Sequence, residues 1–354
     1  MRVLVVRMLM PHVCVGLTMA EPHLEVQQLH FRHTIAGRIP LIRKHAILGG
    51  GVFDCSFSIE RGEILGLVGA NGAGKTTLLR LLAGIHAPQQ GNIRIEGKIG
   101  NTSLLRTKIG HMPEHIRWNG NKTLGEIMEE FCILNNEETT TASKLLELVG
   151  LSDQRHDPVF RLSQGMRQRL SLGVALIGSP EILLLDEPFN GLDPIASASF
   201  QIMLKMLASK GVSIIISSHL VHDLRSLVDS IAIMHRGQLI EEGTMEDVSK
   251  KLGFHGLYEI KGDGDIDIEQ FFKPHNIVEH SKNEKGWTLI VRDVTSSTIQ
   301  TMFKKDVKVT SWTPFEASLV DLLQSATGME LDEISLEVKP QMMVPLRSEV
   351  DEDE

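Results

Sequence analysis

The run Ile182-Leu183-Leu184-Leu185 constrains the fold of this chain more than any other stretch. It has no polar alternation, so both of its faces must be covered. That is the pattern of a strand inside a parallel sheet with a layer packed on either side. The run ends at Asp186-Glu187, two carboxylates at the carboxyl end of a strand, where open α/β sheets bind their ligands. Pro188 stops strand pairing, and Asn190-Gly191-Leu192-Asp193-Pro194 reads as a turn. Upstream, Ser163 and Gly165 open a helical pattern with Leu170, Leu172, Val174, Ala175 and Ile177 on its apolar side. Serine is a good N-cap, and a helix N-terminus attracts anions through its free N–H groups and its dipole.

Strand-end carboxylates can hold Mg²⁺ and activate water if a phosphate cradle lies nearby. The stretch Gly69-Ala70-Asn71-Gly72-Ala73-Gly74-Lys75-Thr76-Thr77 fits the phosphate-loop pattern in full. It follows the strand-like Glu63 to Val68 and precedes the helix-like Thr77 to Leu82. Glycines there let backbone N–H groups point at the α- and β-phosphates without Cβ clashes. In such a loop the lysine, here Lys75, reaches the β- and γ-phosphates, and the hydroxyl of Thr76 binds Mg²⁺. Taken together, these motifs resemble the ATP-binding cassette (ABC) transporter ATPases. LSQGM (162–166) resembles that family's signature, LLLDEP (183–188) its Walker B strand and GLDP (191–194) its D-loop, in the family's order and spacing.

The resemblance implies a phosphate-loop NTPase of the α/β class. Its expected parts are a mainly parallel core sheet, an antiparallel β arm, an inserted helical subdomain (about 115–165) and a small C-terminal α+β domain. It implies that Gly69 to Thr77 cradle ATP, that Thr76 and Asp186 hold Mg²⁺, and that Glu187 orients or deprotonates the attacking water. His219, at the tip of the strand-like Gly211 to Ser218, matches the switch histidine that contacts the γ-phosphate. Ile109 to Glu114 resembles the Q-loop, with Glu114 in place of glutamine; a carboxylate can still reach the metal. His33 falls where the family has an aromatic residue stacked on adenine, with Phe31 close by; an ordinary surface histidine is the competing reading. Ser163 and Gly165 would cap the ATP held by the phosphate loop of a second cassette chain, a homodimer in the simplest case. The partners implied are that second chain and an integral membrane permease subunit, which puts the protein at the cytoplasmic face of the cell membrane. Glu316 to Leu323 resembles the closing helix of exporter subunits whose membrane part is a separate chain, which favours export. The alternative is a soluble ABC ATPase acting on ribosomes or nucleic acid.

The remaining features bound this picture. With 354 residues the chain has room for about two domains. A net charge of −9 does not suit a nucleic-acid binder, so no nucleic-acid partner is expected. Cys14, Cys55 and Cys132 are scattered and outline neither a disulfide framework nor a zinc site. Val3 to Met19 is apolar but carries Arg7, Pro11 and His12. It reads either as sequence ahead of a start at Met19 or as a membrane-surface tether. We divide the chain into a leader (1–22), the ATPase domain (23–253), an accessory domain (254–328) and an acidic tail (329–354), the last expected to be disordered. Residues 34–51 are expected to be a solvated loop, Ile266 to Phe272 a helix, and Gly91 to Gly97 a hairpin arm. His111, Met112 and His115 could serve as metal donors, but their loop context argues against it.

Overall fold

In the computed structural model, the described residues are 21–36 and 46–329, apart from 119, 265, 284, 285 and 306. Three sheets organise them. The central one has six strands in the order β10-β9-β3-β8-β7-β6. Its members are β3 (Ile64–Val68), β6 (Ile109–Met112), β7 (Ile182–Asp186), β8 (Ser213–Ser218), β9 (Ser230–His235) and β10 (Gln238–Gly243). All neighbours are parallel except the β9–β10 hairpin.

Every residue of β3, β7 and β8 is buried, because the sheet separates two apolar layers. Side chains alternate across a strand, and β7 feeds both layers: Ile182 and Leu184 enter one core, Leu183 and Leu185 the other. The same split holds for β8, with Ile215 on one side and Ile214 and Ile216 on the other. The uninterrupted Leu-rich run of the sequence is therefore the signature of a strand covered twice.

The first layer is an antiparallel sheet of order β2-β1-β4-β5, together with α1 (Lys75–Leu82). Its strands are β1 (Leu24–Ala36), β2 (Ala46–Ile59), β4 (Gln90–Ile95) and β5 (Lys98–Ile99). The β4–β5 hairpin is the arm expected at Gly91 to Gly97. The expected loop at 34–51 is corrected: β1 and β2 stay paired from Thr34↔Leu48 to Ala36↔Ala46. The two backbones satisfy each other's hydrogen bonds out to that point, which a solvated loop could not do. Positions 37–45 of that expectation lie outside the described residues.

The second layer holds α6 (Pro194–Ser209) and a helical group of α3 (Leu124–Leu134), α4 (Thr140–Leu148) and α5 (Gln164–Ala175). Three of these helices start as their sequences dictate. Thr123 and Glu126 form a reciprocal capping box on α3, Ser163 caps α5, and Asp193 caps α6 with Pro194 in its first turn. A short α2 (Thr102–Lys108) precedes β6, α7 (Val221–Leu224) follows β8, and α8 (Met245–Lys251) follows β10.

The third sheet, of order β12-β13-β11-β14, is wholly antiparallel. It comprises β11 (Leu257–Asp263), β12 (Ile277–Asn283), β13 (Gly286–Arg292) and β14 (Lys308–Pro314). With α9 (Ser296–Lys304) it encloses a separate core around Trp287, Leu289, Val291, Ile299 and Met302. Ile266 to Phe272 is not a helix; only a 3₁₀ turn forms, at Ile268–Gln270. Its apolar side chains Ile266, Ile268, Phe271 and Phe272 pack instead on the core of this sheet. The chain then returns. Helix α10 (Leu319–Thr327), with a capping box between Ser318 and Asp321, places Leu319, Leu322 and Leu323 in the core of the second layer. Arg225 donates to the carbonyl of Ala317 at 3.2 Å, and Ser325 Oγ donates to that of Leu252 at 2.7 Å.

Candidate functional site: a phosphate loop facing two strand-end carboxylates

The loop between β3 and α1 opens onto a cavity of about 480 Å³ lined by Ala70 to Thr77. Gly74 is the N-cap of α1 at φ 106, and a Cβ there would stand 2.8 Å from the carbonyl oxygen of Gly51. A side chain at Gly69 would meet the carbonyl of Met234 at 2.4 Å. Close backbone approach therefore requires glycine at both positions, and at Gly74 the left-handed backbone requires it as well. The loop is held in place by the turn of the β9–β10 hairpin. Gly237, between β9 and β10, donates to the carbonyl of Ala73 at 2.8 Å and accepts from the amide of Phe53 at 2.7 Å. Its signal, a glycine in a hairpin, does not reveal what the turn touches.

Across the cavity stand the carboxylates. Lys75 Nζ donates to the carbonyl of Gly69 at 2.7 Å and lies 3.3 Å from Glu187 Oε1. The other oxygen of Glu187 is 2.9 Å from His219 Nδ1. Lysine, glutamate and histidine thus form one continuous polar chain whose lysine and glutamate are 6% and 7% exposed. Glu187 sits at φ 48, a left-handed conformation unusual outside glycine and costly by about 1–3 kcal/mol. Its amide donates to Ser217 Oγ at 2.9 Å, and the same hydroxyl donates to Asp186 Oδ1 at 2.6 Å. Ser217 thus ties both carboxylates to the end of β8. The sequence showed only that this strand ends in polar residues.

His33, Glu114, Glu187 and His219 all line the cavity with the phosphate loop. Asn190, which sequence reasoning placed only in a turn, also lines it and donates to Glu114 Oε1 at 3.4 Å. His33 Nε2 is 3.1 Å from Thr77 Oγ1. Asp186, 2% exposed, is not among the residues that line the cavity, and neither are Ser163 and Gly165. Thr76, Asp186 and Glu114 supply only hard oxygen donors, the set that suits Mg²⁺.

The suspected metal donors near His111 do not converge. His111 is mostly buried, and burial pushes its imidazole below the usual range, whereas the His115 side chain is 86% exposed. Elsewhere among the described residues, His23, Glu96 and Glu181 bring three donor atoms within 4.8 Å of one another. Arg61 and Lys108 already pair with those carboxylates, so the trio is a charge-balanced polar cluster. Cys55 and Cys132 are free thiols in different cores, and burial raises the Cys55 thiol to about 12.

Comparison with known proteins agrees with this geometry. The profile of the family described as ABC transporter matches residues 52–190. A linearmycin resistance ATP-binding protein of Bacillus subtilis is 30% identical over 290 residues, which is 80% of this chain and 88% of the relative. The chain belongs to the ABC transporter ATPase family. A bacitracin transport ATP-binding protein of Bacillus licheniformis is 33% identical, covering 64% of this chain and 76% of the relative. A lantibiotic transport ATP-binding protein of Streptococcus pyogenes is 35% identical, covering 53% and 81%. Among solved structures, an ATP-binding subunit of an ABC transporter aligns with a TM-score of 0.54 at 26% identity, over 66% of this chain and 94% of that one. A dimeric cassette in a post-hydrolysis state with ADP and phosphate shares the fold at a TM-score of 0.54 and 20% identity, over 63% of this chain and 98% of that one. The chain is thus an ABC cassette ATPase, the ATP-binding and ATP-hydrolysing subunit of a transporter. Among its described residues no helix is long and apolar enough to cross a membrane.

Proposed function

We propose that this cassette hydrolyses ATP to power export through a separate membrane-spanning permease, docked at the cytoplasmic face of the membrane and working as a pair of identical chains. The observation that carries the catalytic part is the Lys75–Glu187–His219 chain at the mouth of the phosphate loop. In this reading Ala70 to Thr77 cradle the phosphates, and phosphate oxygens compete with Glu187 for Lys75. Glu187, once released, takes a proton from a water that attacks the γ-phosphorus as the bond to the bridging oxygen breaks. His219 orients Glu187 and contacts the γ-phosphate, and His33 stacks on the base. Thr76, Asp186 and Glu114 would hold Mg²⁺, which when bound offsets phosphate charge. Ser163 and Gly165, exposed or half-buried at the start of α5, would close on the nucleotide of the second chain.

Export rests on the relatives named for bacitracin transport, lantibiotic transport and linearmycin resistance. By that likeness the cargo would be an antimicrobial compound selected in the permease. Glu187→Gln keeps the shape and removes the base, so phosphate release should fall by about 10²–10⁴-fold with ATP still bound. Native turnover in that variant rules out the role given to Glu187. The transport role is tested by pull-down from detergent-solubilised membranes. Recovery of a polytopic membrane protein is expected, and recovery of ribosomes instead would favour the soluble alternative.

A further inference from the structure

The cavity wall at His33 is built from three rings, only one of which lines the cavity. Phe31 and His33 lie two residues apart on β1, and their rings meet edge to face at 4.9 Å and 88°. His86 comes from a different part of the chain, the segment just after α1, where its amide donates to the carbonyl of Arg80. Its ring stacks on Phe31 at 5.2 Å and 13°, and meets His33 at 5.7 Å and 86°. His33 is also tied by its edge to Thr77 Oγ1. His33 and Thr77 line the cavity, whereas Phe31 and His86 stand behind.

A histidine ring rotates about its terminal torsion in a broad, shallow well. Left to itself, His33 would have to be ordered each time a nucleobase stacked on it, and that ordering weakens binding. Here the ring is ordered beforehand. Thr77 fixes one edge, and the Phe31–His86 pair presses on it from two separate elements. Burial, reinforced by His33 and Arg80, holds the His86 imidazole below its usual range, which keeps the stacked ring neutral.

We propose that His86 is a positioning residue for nucleobase recognition: packed on Phe31, it fixes the plane of His33 and so sets affinity for the base end of ATP. This rests on the reading that His33 stacks on the base, and it adds a residue that lies outside every nucleotide motif. His86 acts through His33 and touches no phosphate, so its loss weakens binding and leaves the chemical step alone.

The test uses the full-length chain. His86→Ala should raise KM for ATP about fivefold, the range of an aromatic pair, at unaltered kcat. His86→Phe should restore the native KM. Inhibition by inorganic tripolyphosphate, which has no base, should be the same in His86→Ala as in the native chain. His33→Ala should raise KM as well, and the double variant should be no worse than His33→Ala alone. If His33→Ala leaves KM unchanged, the base-stacking reading fails. If His33→Ala raises KM and His86→Ala does not, or if the two effects multiply, the role of His86 is overturned while base stacking stands. Weakened tripolyphosphate inhibition in His86→Ala would also overturn it, since the damage would then reach the phosphate loop. Should His86→Ala fold poorly, His86→Leu keeps volume without a π face and is expected to show the same rise in KM.

Discussion

At the scale of single residues, the site depends on side chains that hold others. Ser217 is the clearest case. Its hydroxyl donates to Asp186 and accepts from the amide of Glu187, while Glu187 is held in a left-handed conformation. A backbone in that region persists only where its surroundings over-determine it. Ser217→Ala removes the tie and leaves a buried carboxylate oxygen and a buried amide short of a partner. Each such loss costs about 1–3 kcal/mol. Steady-state hydrolysis by Ser217→Ala should therefore be at least about tenfold slower, with circular dichroism showing a folded chain. Native turnover would mean that Glu187 is aimed by other contacts.

At the scale of elements, the opposite end of the central sheet from the cavity is joined by a buried histidine. His23 precedes β1, Glu181 precedes β7, and Ser213 starts β8. The His23 ring bonds Ser213 Oγ at 2.6 Å and lies 3.4 Å from Glu181. Ser213 Oγ itself donates to the carbonyl of Glu60, so His23 Nδ1 is the donor to it. Burial, with Arg61 adding to it and Glu181 opposing, lowers the imidazole below its ordinary value of 6.5. The unfolded chain then takes up a proton that the folded one refuses, so it binds more protons below pH 6.5. Stability from this group is complete above that value and is lost as pH falls toward the folded pKa, by at most about 1.4 kcal/mol per unit. His111 shifts in the same direction and adds to the slope. Urea midpoints should fall between pH 7 and pH 5, and His23→Gln should flatten that dependence. An equal slope in native and variant chains would assign the effect elsewhere.

At the scale of the whole molecule, the accessory sheet is tied to the cassette twice. The chain leaves after α8 and comes back as α10, whose leucines share a core with Leu224, Leu227 and Val248. Leu322 is 3% exposed. Truncating such a buried leucine costs about 2–5 kcal/mol through lost burial and the cavity left behind. Leu322→Ala should therefore lower the melting transition of the ATPase part of the chain, although the residue lies beyond the accessory sheet in sequence. A variant that melts as the native chain does would mean that α10 is not part of that core. The return also brings Ala317 beside Arg225, just past the segment that carries His219.

Much of this molecule was legible in its sequence because local patterns dictated it. A run apolar on both faces had to lie between two layers, and β7 does. The glycines of the phosphate loop, the cap Ser163, and the strand-end position of Asp186 and Glu187 follow from chain geometry within a few residues. What needed the folded chain were relations between segments far apart. The binding of Ser217 to both carboxylates, the hold of Gly237 on the phosphate loop, and the packing of His86 behind His33 depend on strand order and register, which no local pattern encodes. The same cause explains the errors. Residues 34–36 and 46–51 read as loop because their strand character lies in pairing with each other. Ile266 to Phe272 reads as helix by apolar spacing, yet Ile266, Ile268, Phe271 and Phe272 are drawn onto a core formed by other strands. Spacing determines which face of an element is apolar; only the packed structure decides what that face meets.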